Sequence, residues 1–87
     1  MNKFKFQSRW KEELIVVGKG GEFILEHPIG IPSVYLPSEN VWKNKSPEWA
    51  KNYYCELSKE LEQWCIDNKV KFIIDETAGV GFDGKWF

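Results

Sequence analysis

The chain opens on an alternation, Lys3-Phe4-Lys5-Phe6-Gln7, whose period of two puts Phe4 and Phe6 on one face of a strand. Leu14-Ile15-Val16-Val17 is a short apolar, β-branched run, and Glu22-Phe23-Ile24-Leu25-Glu26 is a second. Between them lies Gly18-Lys19-Gly20-Gly21, and two apolar runs around a glycine cluster predict a β-hairpin. Pro28, Gly30, Pro32 and Pro37 punctuate the next stretch. Proline cannot donate to a ladder, so residues 28–37 read as an extended edge segment with a short strand at Ser33-Val34-Tyr35-Leu36.

The period then changes. Ala50, Tyr53, Tyr54, Leu57, Leu61, Trp64 and Cys65 recur at helical spacing, while Lys51, Glu56, Lys59, Glu60 and Glu62 fall mostly on the other side. With Ser46 as N-cap, Pro47 at the first helical position and Asp67-Asn68-Lys69 at the end, the pattern predicts a helix over about residues 47–67. Val70-Lys71-Phe72-Ile73-Ile74-Asp75 reads as a further strand, and residues 77–84 as a glycine-rich end too loose for a helix. The simplest way to bury both apolar surfaces is an α+β fold, a small mainly antiparallel sheet with one long helix packed on one face.

Length permits one domain over residues 1–87, with no internal repeat or linker. An apolar fraction of 43% with five tryptophans argues for a packed core rather than disorder. Twelve Lys and Arg against thirteen Asp and Glu leave a net charge of −1, which gives no drive toward nucleic acid. The charges are unevenly spread. Lys3, Lys5, Arg9 and Lys11 make the start basic, whereas Glu12, Glu13, Glu22, Glu26 and Glu39, and later Asp75, Glu76 and Asp83, form acidic stretches. No apolar run is long enough for a membrane span, and the two cysteines read as reduced thiols, so a cytoplasmic location is expected.

Candidate chemistry is thin. Gly79-Val80-Gly81-Phe82-Asp83-Gly84 has the letters of a dinucleotide fingerprint, but that mechanism needs a helix immediately afterwards and only Lys85, Trp86 and Phe87 follow. Gly18-Lys19-Gly20-Gly21 lacks the ending of a phosphate loop and leads into a strand. Cys55 and Cys65 sit about 15 Å apart on one helix, too far for a disulfide or a shared zinc. His27, the only histidine, lacks metal-ligand companions and reads as a surface or loop residue. No base is linked to Ser33, Ser38, Cys55 or Cys65, and Asp75 and Glu76, as strand neighbours, point apart unless the strand has already ended there. The chain therefore reads as a binding protein rather than an enzyme, with no metal or cofactor expected.

Trp64 belongs on the apolar stripe, and Trp49 is placed to cover the sheet edge. Trp42, in the polar loop Asn40-Val41-Trp42-Lys43-Asn44-Lys45, and Trp86 have no periodic partner. They serve either as exposed interface anchors or as caps folded back on the core.

Residues 20–26 and 33–37, together with Trp42, Pro47-Glu48-Trp49-Ala50-Lys51 and residues 75–80, resemble small bacterial proteins of this length. In build the chain is similar to immunity proteins of contact-dependent or polymorphic toxin systems. That resemblance implies a protein that neutralises one cognate toxin domain by direct contact, with neither nucleic acid nor membrane as partner. The candidate contacts are the carboxylates Glu22, Glu26, Glu39, Asp75, Glu76 and Asp83 and the rings Trp42 and Trp86. Two rival classes stand beside it. One is a self-associating module, a homodimer through the 28–37 edge or the helix. The other is a small-ligand or nucleic-acid binder that stacks on Tyr35, Tyr53, Tyr54 or Trp42.

Overall fold

The computed structural model describes residues 2–9, 12–28 and 30–87. The basic residue Lys11 lies outside them. The architecture is α+β: a mainly antiparallel sheet of seven strands among the described residues, with its helices packed on one face.

β1 (Lys5–Arg9), β2 (Glu13–Gly18) and β3 (Gly21–Glu26) form an antiparallel meander. The expected hairpin joins β2 to β3 with Gly18 opposite Gly21 and Lys19-Gly20 at the tip. The glycines there have a packing reason. A Cβ on Gly20 would stand 2.4 Å from Cγ of Trp49 and 2.6 Å from its Cβ, and one on Gly18 would stand 2.6 Å from the far edge of the same indole. Trp49 thus rests directly on hairpin backbone, with its ring 6.0 Å from Phe23 and 6.3 Å from Phe4.

β4 (Ser33–Leu36) overturns the edge reading. It lies inside the sheet, antiparallel to β3 through Glu26 opposite Tyr35 and parallel to β5 (Lys71–Ile74) along its whole length. The prolines are compatible with this because they flank the strand and contribute carbonyls. Pro32 accepts from the Lys71 N–H at 2.9 Å.

The polar loop containing Trp42 is in fact a short helix, α1 (Glu39–Lys45). Ser46 ends α1, its N–H donating to the Trp42 carbonyl at 2.9 Å, so it is not the N-cap of the next element. That element begins as a 3-10 helix, Glu48–Tyr53, with Pro47 in the capping position, and continues as α2 (Tyr54–Asp67). Leu57, Leu61 and Cys65 carry the buried stripe of α2 at intervals of four. They meet Leu14, Val16, Phe23, Leu25, Val34 and Leu36 from the inner sheet face.

The glycine-rich end is also ordered as strand. β6 (Val80–Phe82) and β7 (Lys85–Trp86) form a second hairpin around Asp83 (φ 54°) and Gly84 (φ 75°), the positive-φ pair that a tight two-residue turn demands. β6 pairs with β3, Ile24 facing Gly81 and Leu25 facing Val80. Among the described residues no helix is long and apolar enough to cross a membrane.

Candidate partner-binding face

Register fixes which side chains share the sheet face away from the helices, since directly opposed residues point to the same side. One cross-strand row runs Gln7, Ile15, Ile24, Gly81, Trp86. A second runs Arg9, Glu13, Glu26, Tyr35, Ile73, and a third Lys5, Val17, Glu22. This face has an apolar middle row bordered by charge. It is basic along β1 and acidic along β2 and β3.

Trp86 is the largest exposed ring of the middle row, at 51% exposure. It lies flat across β6 because both positions beneath it are glycine. A Cβ on Gly81 would come within 3.1 Å of the indole, and one on Gly79 within 3.2 Å. The neighbouring hairpin forms an open groove of about 330 Å³, lined by Glu13, Glu22, Ile24, Asp83, Lys85 and Trp86 among others. A second groove of about 540 Å³ continues from Glu22 and Asp83 past Glu48 to Trp49. By contrast, a smaller hollow of about 160 Å³ on the other side of Trp49 presents Lys3 and Lys19.

The eight residues expected from sequence therefore divide. Glu22, Asp83 and Trp86 share one groove. Glu26 lies on the same face, but one carboxylate oxygen is committed, accepting the Gly79 N–H at 2.7 Å and tying β3 to the loop before β6. Glu39 stands in the first turn of α1, in the helical layer, where its charge adds to burial in raising the Tyr54 hydroxyl pKa. Asp75 and Glu76 follow β5. Asp75 accepts from the N–H and hydroxyl of Thr77 at 2.8 and 2.7 Å, and these bonds hold its carboxyl below the ordinary carboxylate range.

Trp42 is a correction. It is fully buried, edge-on to Phe23 at 5.3 Å, and its indole N–H donates to the Ala50 carbonyl at 3.2 Å. Packed between Phe23 of the sheet and Tyr54 of α2 it is core, and it cannot anchor a partner from there. His27 also departs from expectation. It follows β3 in a loop but is only 4% exposed, with Nδ1 2.7 Å from the Ser33 carbonyl and the ring edge-on to Trp64. The carbonyl only accepts, so Nδ1 carries the proton. Cys55 is exposed and Cys65 buried, each a free thiol.

Glu13 and Glu48 also line these grooves but are not among the eight residues expected from sequence. For Glu13 the signal existed, because a hairpin turning at Lys19-Gly20 sets Glu13 opposite Glu26. Among the described residues no three His, Cys, Asp or Glu side chains gather in a metal-binding arrangement. Comparison with protein-family models, curated proteins and solved structures finds no match to this chain.

Proposed function

We propose that this chain is a binding protein that engages a basic protein partner through the outer face of its sheet and neutralises it in the cytoplasm, as an immunity protein does a cognate bacterial toxin domain. One observation carries the reading: Glu13, Glu22, Glu26 and Asp83 border an apolar row that ends on the exposed Trp86. Glu13 stands directly opposite Glu26, and like charges in that position disfavour the isolated sheet. A lysine or arginine from a partner relieves that repulsion, while Arg9, opposite Glu13 on the other side, offsets only part of it. Carboxylates of this kind accelerate encounter with a basic cleft, and a ring seated on backbone, as Trp86 is, slows dissociation.

The test is calorimetric titration against the product of the open reading frame immediately upstream, with the toxicity of that product as a second readout. The reading expects tight one-to-one binding that abolishes toxicity. Glu22→Lys with Asp83→Lys is expected to weaken it by at least roughly 10-fold, mostly in the association rate. Trp86→Ala is expected to weaken it by about 30-fold, mostly in dissociation. Binding that survives all three substitutions unchanged would remove this face from the account, and no binding at all would remove the partner.

A further inference from the structure

The sheet has two long edges, and they are not alike. β1 presents Lys5, Gln7 and Arg9, the charged and polar side chains that discourage strand addition. β5 is Lys71-Phe72-Ile73-Ile74, with Ile74 49% exposed and Phe72 and Ile73 only half-buried. The Lys71 and Asp75 N–H groups donate toward β4, to Pro32 and Leu36, each at 2.9 Å. Backbone groups alternate along a strand, so those of Phe72 and Ile74 point away from β4, to the open side.

We infer that β5 is a self-association edge, pairing antiparallel with β5 of a second copy across a two-fold axis at Ile73. The register follows from the backbone. Phe72 and Ile74 carry the N–H and C=O groups left open among the described residues, so the fullest pairing sets Phe72 of each copy against Ile74 of the other. Ile73 then faces its own counterpart as the close, non-hydrogen-bonded pair. The same register sets Lys71 opposite Asp75 of the other copy at both ends of the strand, on the face that Ile73 occupies. Charge complementarity and hydrogen-bond complementarity thus select one arrangement. A shift of the axis to Phe72 or Ile74 pairs only that one residue with its own counterpart, gives up the Phe72–Ile74 exchange, and separates Lys71 from Asp75.

The two sheets become one, joined edge to edge, and the pairing covers the apolar half of each β5. A contact of one short strand per copy falls at the small end of protein interfaces, so the dimer is weak and concentration-dependent. The arrangement does not depend on the partner reading above, because the groove around Trp86 and Glu22 is lined by β2, β3 and the β6–β7 hairpin and not by β5.

Sedimentation velocity from micromolar to millimolar concentration tests it. The expected result is a weight-average mass that climbs from monomer toward dimer. Ile73→Lys, which sets two like charges face to face on the axis, is expected to hold the protein monomeric. Lys71→Glu is expected to weaken the dimer roughly 10-fold. Should Ile73→Lys misfold, Ile73→Cys in a Cys55→Ser background supplies the decision. Mild oxidation is expected to cross-link it into a covalent dimer, whereas Val17→Cys in the same background stays monomeric. A wild-type mass that remains monomeric throughout overturns the inference. So does a dimer that survives Ile73→Lys, or an Ile73→Cys variant that oxidises no faster than Val17→Cys.

Discussion

Replacing Gly20 by alanine isolates the contact between the β2–β3 hairpin and Trp49. The added Cβ would stand 2.4 Å from Cγ and 2.6 Å from Cβ of Trp49, distances that real Cβ atoms do not tolerate. These are the root atoms of the side chain, so rotation of the indole cannot relieve the overlap. Either the 3-10 helix Glu48–Tyr53 or the hairpin must shift. Overpacking of this kind costs about 1–3 kcal/mol. Gly20 does not take a positive φ, so alanine also narrows the unfolded ensemble and returns about 0.4–1 kcal/mol. The net loss centres on about 1 kcal/mol, a fall of roughly 4–8 °C in Tm for a chain this size. Urea and thermal unfolding followed by circular dichroism measure it, with Gly30→Ala as control, since a Cβ there meets nothing within 4 Å. The decisive measurement is the double-mutant cycle with Trp49→Gly, which removes Cβ as well as Cγ, so the steric cost of Gly20→Ala is expected to vanish. An equal cost in both backgrounds would refute the steric argument and place the effect in the hairpin backbone.

Four further outcomes follow from the packing. The Glu60 carboxylate accepts the N–H groups of Lys3 at 2.9 and 3.0 Å and of Phe4 at 2.9 Å, so Glu60→Ala is expected to cost about 1–2 kcal/mol and to speed amide exchange at both residues. Trp42→Ala is expected to cost about 3–5 kcal/mol and Trp86→Ala under about 1 kcal/mol by chemical denaturation, because only the first ring fills the core. Burial, with the Glu62 charge beside it, pushes the Cys65 thiol up from 9.0 to about 11. The fold favours the neutral thiol, so that contribution is full below pH 9 and is lost as the pH climbs through about 11. Cys65→Ala is expected to flatten this part of the stability profile, which separates it from Tyr54, displaced in the same direction by burial and Glu39. At pH 8 a thiol reagent is expected to modify Cys55 at once and Cys65 only at the unfolding rate.

What could be read from the residues alone was whatever a local pattern determines. The β2–β3 hairpin follows from two β-branched runs about a glycine cluster, and α2 from Leu57, Leu61 and Cys65 at intervals of four. Patterns that depend on a distant partner were not legible. Trp42 sits in a seven-residue helix with only Val41 as apolar company, too short for a period to show, and its burial comes from Phe23 and Ala50. The interior position of β4 depends on β5 arriving 35 residues later, a pairing hidden by prolines that flank the strand without entering it. β6 looks loose because Gly79 and Gly81 leave room for Trp86, although Asp83-Gly84 was a hairpin turn in plain letters. The candidate face was half visible for the same reason: the carboxylates of β3 fell on one side by alternation, whereas their meeting with Asp83 and Trp86 is made by that late hairpin.

The far side of β3 is divided, Glu26 pairing with β4 while Ile24 and Leu25 pair with β6. β6 and β7 follow every other described element in the chain, so until they dock the middle of β3 lacks a partner on that side. For that interval the strand Gly21–Glu26 offers its bare N–H and carbonyl groups to any passing chain. Its two exposed glutamates, Glu22 and Glu26, stand at either end of the vacancy and repel an equally acidic copy. The charges that border the finished surface thus also guard the strand before the hairpin docks, and neutralising them is expected to lower the yield of folded protein.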